Sequence, residues 1–256
     1  MKIQLAGAAL LFIVALQTAA VTAPQIAVDR GLPHVNLNDS SGIIRSNVRW
    51  SGEENGFVGD DFTIGALGEK WVIDTIRTWA VPQISVTSPH QLGDLFLDVR
   101  LYFGPATGSL TPIIGAGFSE NSSDTDNPNV TVTEMTQNGA VPYDDRGTSL
   151  EIWQIDFTNL NRVIEGGVKY GFGVWGMGRP VVGKEGRMQH WFNLASNAEL
   201  GSSPQDSADG VLLLYDGGGQ FEGTFDSKGS AWDKSSDLNV QVIAHRIDSP
   251  VSHPLR

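Results

Sequence analysis

The chain has 256 residues, no cysteine, 17 basic and 29 acidic side chains, and a formal net charge of −12. The lack of cysteine excludes disulfides, thiol catalysis and thiolate metal sites together. The acidic balance argues against nucleic acid and anionic membrane surfaces as partners, because both require clustered Lys and Arg.

Residues 1–20 have the build of a secretory signal peptide. Lys2 supplies the positive end, the run from Leu5 to Leu16 is almost wholly apolar, and Thr18-Ala19-Ala20 offers small residues for cleavage. About a dozen apolar residues are too few to span a bilayer, which needs about 20. The expected location is therefore secreted, extracellular, with no membrane span. Residues 21–47 lack periodic apolar positions and are rich in Pro, Asn, Asp and Ser, as in a leader or an extended N-terminal arm. Residues 48–248 read as one domain, and 249–256 as a polar, proline-punctuated tail.

Short β-favouring runs then alternate with turn-rich gaps. Phe57 to Ile64 is the first. Trp71 to Val81 is dense in β-branched and aromatic residues and closed by Pro82. In Leu95 to Phe103, the residues Leu95, Leu97, Val99, Leu101 and Phe103 share one face; Phe96, Asp98, Arg100 and Tyr102 share the other. That period of two marks a sheet with one buried side. Val130 to Met135, Leu150 to Phe157, Val168 to Trp175, Val211 to Tyr215 and Leu238 to His245 complete the series. Gly217-Gly218-Gly219 predicts a hairpin turn. Only Asn159 to Val163 is expected to make a helical turn. Eight or nine strands without intervening helices predict an all-β, antiparallel β-sandwich, with gaps long enough for the crossovers of a jelly roll.

The usual catalytic signatures are absent. There is no G-x-S-x-G elbow, no H-E-x-x-H, and no pair of histidines at metal-ligand spacing. Glycoside hydrolysis needs two carboxylates facing one sugar. Asp74 and Asp98 have Arg77 and Arg100 beside them, which predicts structural ion pairs. Glu151 and Asp156 are five residues apart, hence on opposite faces. Asp124-Thr125-Asp126-Asn127 begins like a calcium loop, but Pro128, Asn129 and Met135 break the pattern. A structural calcium held by Asp60, Asp61 and Asp216 remains the one cofactor expectation. Against it stands the role of aspartate as a turn cap.

The aromatics carry the remaining signal. In Val168 to Trp175 the residues Val168, Tyr170, Phe172 and Val174 share one face. Trp175 therefore shares the other with Lys169, Gly171 and Gly173, where its ring is open for stacking on a sugar. Trp191 beside His190, and Trp232 beside Asp233, also sit in polar surroundings. Sugar sites combine such rings with hydrogen-bonding side chains. Trp175, Trp191, Trp232, His190 and Asp233 are thus the candidate ligand-binding residues; Trp71, Trp79 and Trp153 are assigned to the core.

The strings Arg45-Ser46-Asn47-Val48-Arg49-Trp50, Gly59-Asp60-Asp61-Phe62-Thr63-Ile64 and Trp71-Val72-Ile73-Asp74-Thr75-Ile76, with the later Trp232 to Leu238, carry a resemblance. The chain resembles a group of secreted microbial β-sandwich proteins similar to jelly-roll, carbohydrate-binding-type domains. The resemblance implies the fold and brings no catalytic residues with it. The expected function is non-catalytic binding of a glycan or other cell-surface ligand. A polysaccharide-acting hydrolase using Asp98, Glu151 or Asp156 is the alternative, and a structural extracellular protein without a small ligand is the third reading.

Overall fold

The computed structural model describes residues 22–30, 48–49, 56–82, 92–117, 127–135, 143–145, 148–181, 183–184, 186–193, 206–230 and 235–247. Residues 1–20, expected to be an export signal, and the expected tail 249–256 lie outside them. In chain order the strands are β1 (Gln25–Asp29), β2 (Val48–Arg49), β3 (Gly56–Thr63), β4 (Lys70–Pro82), β5 (Phe96–Pro105), β6 (Thr111–Gly117), β7 (Val130–Glu134) and β8 (Tyr143–Asp145). They continue as β9 (Thr148–Leu150), β10 (Trp153–Phe157), β11 (Arg162–Glu165), β12 (Lys169–Gly178), β13 (Trp191–Asn193), β14 (Val211–Asp216), β15 (Phe221–Asp226) and β16 (Val240–Ile247). Single helical turns, α1 (Leu92–Leu95) and α2 (Ser227–Ser230), are the only helical elements among the described residues.

Two antiparallel sheets form the sandwich. One has six strands in the order β15-β14-β3-β12-β5-β6. The other is built on the path β1-β16-β4-β10-β7, with β11 and β13 also pairing β4 and β2 pairing β13. The chain passes between the sheets from β2 to β3, β3 to β4, β4 to β5, β6 to β7, β11 to β12, β12 to β13, β13 to β14 and β15 to β16.

The long β4 holds the second sheet together. Its β-branched and aromatic content favours an extended chain of 13 residues. β16 pairs Lys70 to Thr78 along one edge, β11 and β10 pair Lys70 to Ile73 and Ile76 to Ala80 along the other, and β13 pairs Ala80 to Pro82 beyond the end of β16. The register against β16 slips at Asp74, so that Thr75 faces Ile243 while Ile73 faces Ala244. This bulge lets Ile73 and Ile76, three apart, both point into the core.

The core lies between the sheets. Phe62, Val99, Leu101, Phe103, Phe172 and Val174 from the six-stranded sheet meet Ile73, Ile76, Trp153, Ile155, Phe157 and Val242 from the other. Trp71, Trp79 and Trp153 are all buried. Trp79, however, alternates with the core residue Ala80 and packs with Val81 and Ile152 in a satellite cluster on the outer face.

Three local readings change. Phe96 lies in the core, because the pairing with β12 skips Leu97 and turns Phe96 inward against Trp191. Asn159 and Asn161 have φ of 55° and 50°, left-handed values that break any helical turn before β11 begins at Arg162. Part of the presumed arm, Gln25–Asp29, is an edge strand paired to β16. The Gly217–Gly219 hairpin stands as expected, joining β14 to β15 with Gly219 at φ 85°.

Candidate functional site

On the six-stranded sheet, side chains alternate between the core and the outer face. Val58, Leu101, Phe172 and Leu212 point in, whereas Phe57, Tyr102 and Tyr215 point out. These outward rings form a second buried cluster with Leu213, Ala106 and Leu110. Phe57 stacks on Tyr215 with centroids 5.3 Å apart and leans on Tyr102 at 4.7 Å. The Tyr215 hydroxyl donates to the Ala106 carbonyl at 2.9 Å. Burial pushes that hydroxyl above its ordinary titration range, so it remains a donor.

Trp175 sits at the margin of this cluster, half-buried, with Phe221 the other partly exposed ring packed against it. The register places Trp175 opposite Arg100, whose guanidinium carbon lies 5.0 Å from the indole centroid. Arg100 is also held by Asp98 through both its Nε and Nη2. Asp98 thereby raises the arginine's pKa further, and the guanidinium stays charged. An aromatic face, a planar cation and a carboxylate thus stand side by side on β12 and β5. This set offers stacking and hydrogen bonds to a polar, flat ligand.

The sequence reading placed glycines beside Trp175 as open space. The structure fills that space. A Cβ on Gly173 falls 2.4 Å from Phe57 Cε2, and one on Gly171 falls 2.6 Å from the Tyr215 hydroxyl. The glycines are therefore seats for the rings of Phe57 and Tyr215. Gly173→Ala is expected to destabilise the fold by about 1–3 kcal/mol, as overpacking does. Urea unfolding of the variant measures it, and an unchanged midpoint would show that Phe57 moves aside freely.

Trp191 does not join Trp175. Trp191 is fully buried, with its ring 4.6 Å from Phe96 inside the core, so no sugar reaches it. The reason is local: β13 pairs β4, which turns Trp191 and Asn193 inward and Phe192 outward. His190 is half-buried just before that strand. Trp232 and Asp233 lie outside the described residues.

The three proposed calcium ligands also separate. Asp60 points inward against Arg30. Asp61 points outward, where Lys169 Nζ lies 3.1 Å from its Oδ2. Burial raises its carboxyl all the same. Asp216 caps the β14–β15 turn, accepting from the Gly218 and Gln220 amides at 2.8 Å each. Among the described residues no group of three His, Asp or Glu side chains is placed to hold a metal. Two of the hydrolase carboxylates, Asp98 and Asp156, are likewise apart. Asp98 is on the six-stranded sheet, and Asp156 is on the outer face of the other, bound by Arg77 at 2.7 and 2.9 Å. Asp74 faces His245 Nδ1 at 2.7 Å instead of Arg77.

Sequence reasoning missed Arg30 altogether. Its guanidinium reaches Asp60 and Asp237 in the interior and donates to the carbonyls of Asp61, Asp206 and Ser207. A basic residue closing a segment without periodicity gave no local signal. Only the pairing of β1 with β16 puts it there.

Comparison with protein families, with curated proteins and with solved structures finds no match to this chain. Among the described residues no helix is long and apolar enough to cross a membrane.

Proposed function

We propose that this chain is an exported, non-catalytic β-sandwich protein that binds a glycan on the outer face of its six-stranded sheet. The observation that carries the reading is the partly exposed Trp175 ring, set beside the Arg100–Asp98 pair on a face already rich in aromatics. An indole supplies a flat apolar surface, and the paired guanidinium and carboxylate supply donors and acceptors for hydroxyl groups. The resemblance of Gly59–Ile64 and Trp71–Ile76 to carbohydrate-binding-type sandwiches points the same way. The hydrolase reading gains no such support, because Asp98 and Asp156 lie on different sheets and each is bound by an arginine.

Affinity electrophoresis through a panel of soluble neutral polysaccharides tests the proposal. At least one polysaccharide is expected to retard the wild type. Trp175→Ala is expected to weaken that binding about thirtyfold, the roughly 2 kcal/mol of a central aromatic contact. Trp175→Phe keeps a stacking face and most of the affinity. Should no polysaccharide retard the protein, or should Trp175→Ala bind as the wild type does, the proposal is wrong.

A further inference from the structure

The least expected feature of the interior is a charged cluster with unequal signs. Arg30, Asp60 and Asp237 are all fully buried. Arg30 Nη1 lies 2.9 Å from Asp60 Oδ2 and 3.5 Å from Asp237 Oδ2. The shorter contact is an ion pair without hydrogen-bond alignment. One guanidinium therefore faces two carboxylates, and one negative charge has no cation of its own in the cluster.

The cluster ties four separate stretches of chain. Arg30 follows β1, and its amide donates to the Val240 carbonyl at 3.0 Å. Asp60 belongs to β3 and accepts from the amides of Asp61 and Leu238 at 2.7 and 2.6 Å. Asp237 precedes β16 and accepts from the amides of Asp209 and Gly210 at 2.8 and 2.6 Å. The carbonyls of Asp206 and Ser207 complete the cage around the arginine. The charged neighbours outside it are Asp61, Asp209 and Lys169, the lysine bridging the two aspartates at 3.1 and 2.8 Å. Tyr215 also lies within electrostatic reach of Asp60 and Asp61.

β1 is an edge strand, paired with β16 along one side, with Val28 in the core and its end fastened by Arg30 and by two hydrogen bonds between Asp29 and Asp206. We propose that Arg30, Asp60 and Asp237 form a proton-dependent lock that fastens the N-terminal strand to the sandwich and loosens as the medium becomes alkaline. With one proton shared across the two carboxylates, the cluster is neutral and the strand is held. Loss of that proton leaves a net negative charge in the interior. Detaching β1, with its arginine, lets water reach both carboxylates.

The sign follows from burial. Removal from water raises the carboxyls of both Asp60 and Asp237 above their ordinary range, against the pull of Arg30 and the backbone amides. A group whose pKa is raised by folding favours the closed state below its ordinary pKa. That contribution is lost as pH rises through the raised value. The lock is thus tight in acid and weakens with rising pH, by at most about tenfold in its opening constant per pH unit for one linked proton.

Native-state trypsin digestion reads the lock directly, because Arg30 is buried when it is closed and is a cleavage site when it opens. The fragment ending at Arg30 is quantified by mass spectrometry from pH 6 to 9. Its rate is divided by that of an unstructured peptide covering residues 22–38. Cleavage after Arg77, in the middle of β4, reports global unfolding. The normalised rate at Arg30 is expected to rise at least about tenfold across the range while that at Arg77 does not. Asp60→Asn leaves one carboxylate for one guanidinium, and its profile is expected to be flat. Asp237→Asn serves as the second variant and is expected to behave alike. A flat wild-type profile overturns the proposal. So does a rise at Arg30 and Arg77 in step, or a rise that persists in both asparagine variants.

Discussion

Arg30→Met is expected to destabilise the folded chain by about 3–5 kcal/mol, among the largest effects of any single substitution. The side chain is fully buried, and methionine fills much of its volume without its charge. What remains is Asp60 and Asp237, both without exposure and now without a cation. Such a site breaks more severely when one partner is removed than when all are replaced together. Here even complete apolar replacement would not restore stability. The two carboxylates also accept the amides of Asp61, Leu238, Asp209 and Gly210, which would then be orphaned. Arg30→Met combined with Asp60→Asn and Asp237→Asn keeps acceptors for some of those amides and removes both charges. That triple variant is expected to be more stable than Arg30→Met alone. Urea unfolding at pH 7 decides the matter. A loss under about 1 kcal/mol for Arg30→Met would mean that the carboxylates reach water or protonate without strain.

How far the sequence foretold this molecule depends on the length of each element. β4 was legible because it is dense in β-branched and aromatic residues, and β5 because Leu95 to Phe103 alternates with a period of two. The same rule put Trp175 opposite Phe172. Where a bulge interrupts the period, as at Leu97, the preceding residue Phe96 was assigned to the wrong face. Strands of two to four residues, such as β2, β11 and β13, carry too few alternations to be seen. β1 is longer, but it lies at a sheet edge with a half-exposed pattern. The candidate site was half legible. The exposure of Trp175 and the Asp98–Arg100 pairing came from local spacing. The rings seated over Gly171 and Gly173 did not, because they arrive from β3 and β14, well over a hundred and about forty residues away, and only strand order brings them together.

Trp191 shows how a tryptophan in polar company can mislead, and Trp191→Ala separates the two roles that such a residue can have. Gln189, His190 and Asn193 around it suggest a loop, yet Gln189, Trp191 and Asn193 are all buried. Two partners enforce this. β13 is paired with β4 on one side and β2 on the other, so its inward residues have nowhere to turn. The ring then packs on Phe96, which the bulge in β5 has turned inward to meet it. Removing a fully buried indole leaves a cavity that a sheet paired on both edges cannot close. The expected loss is about 3–5 kcal/mol. Trp175, half-buried at the margin of the outer cluster, is expected to lose less stability on truncation and more affinity for polysaccharide. Guanidinium unfolding and affinity electrophoresis on the two alanine variants give opposite orders. If Trp191→Ala abolishes binding while its unfolding midpoint stays near that of the wild type, the ring is reachable from outside and the binding face belongs on the other sheet.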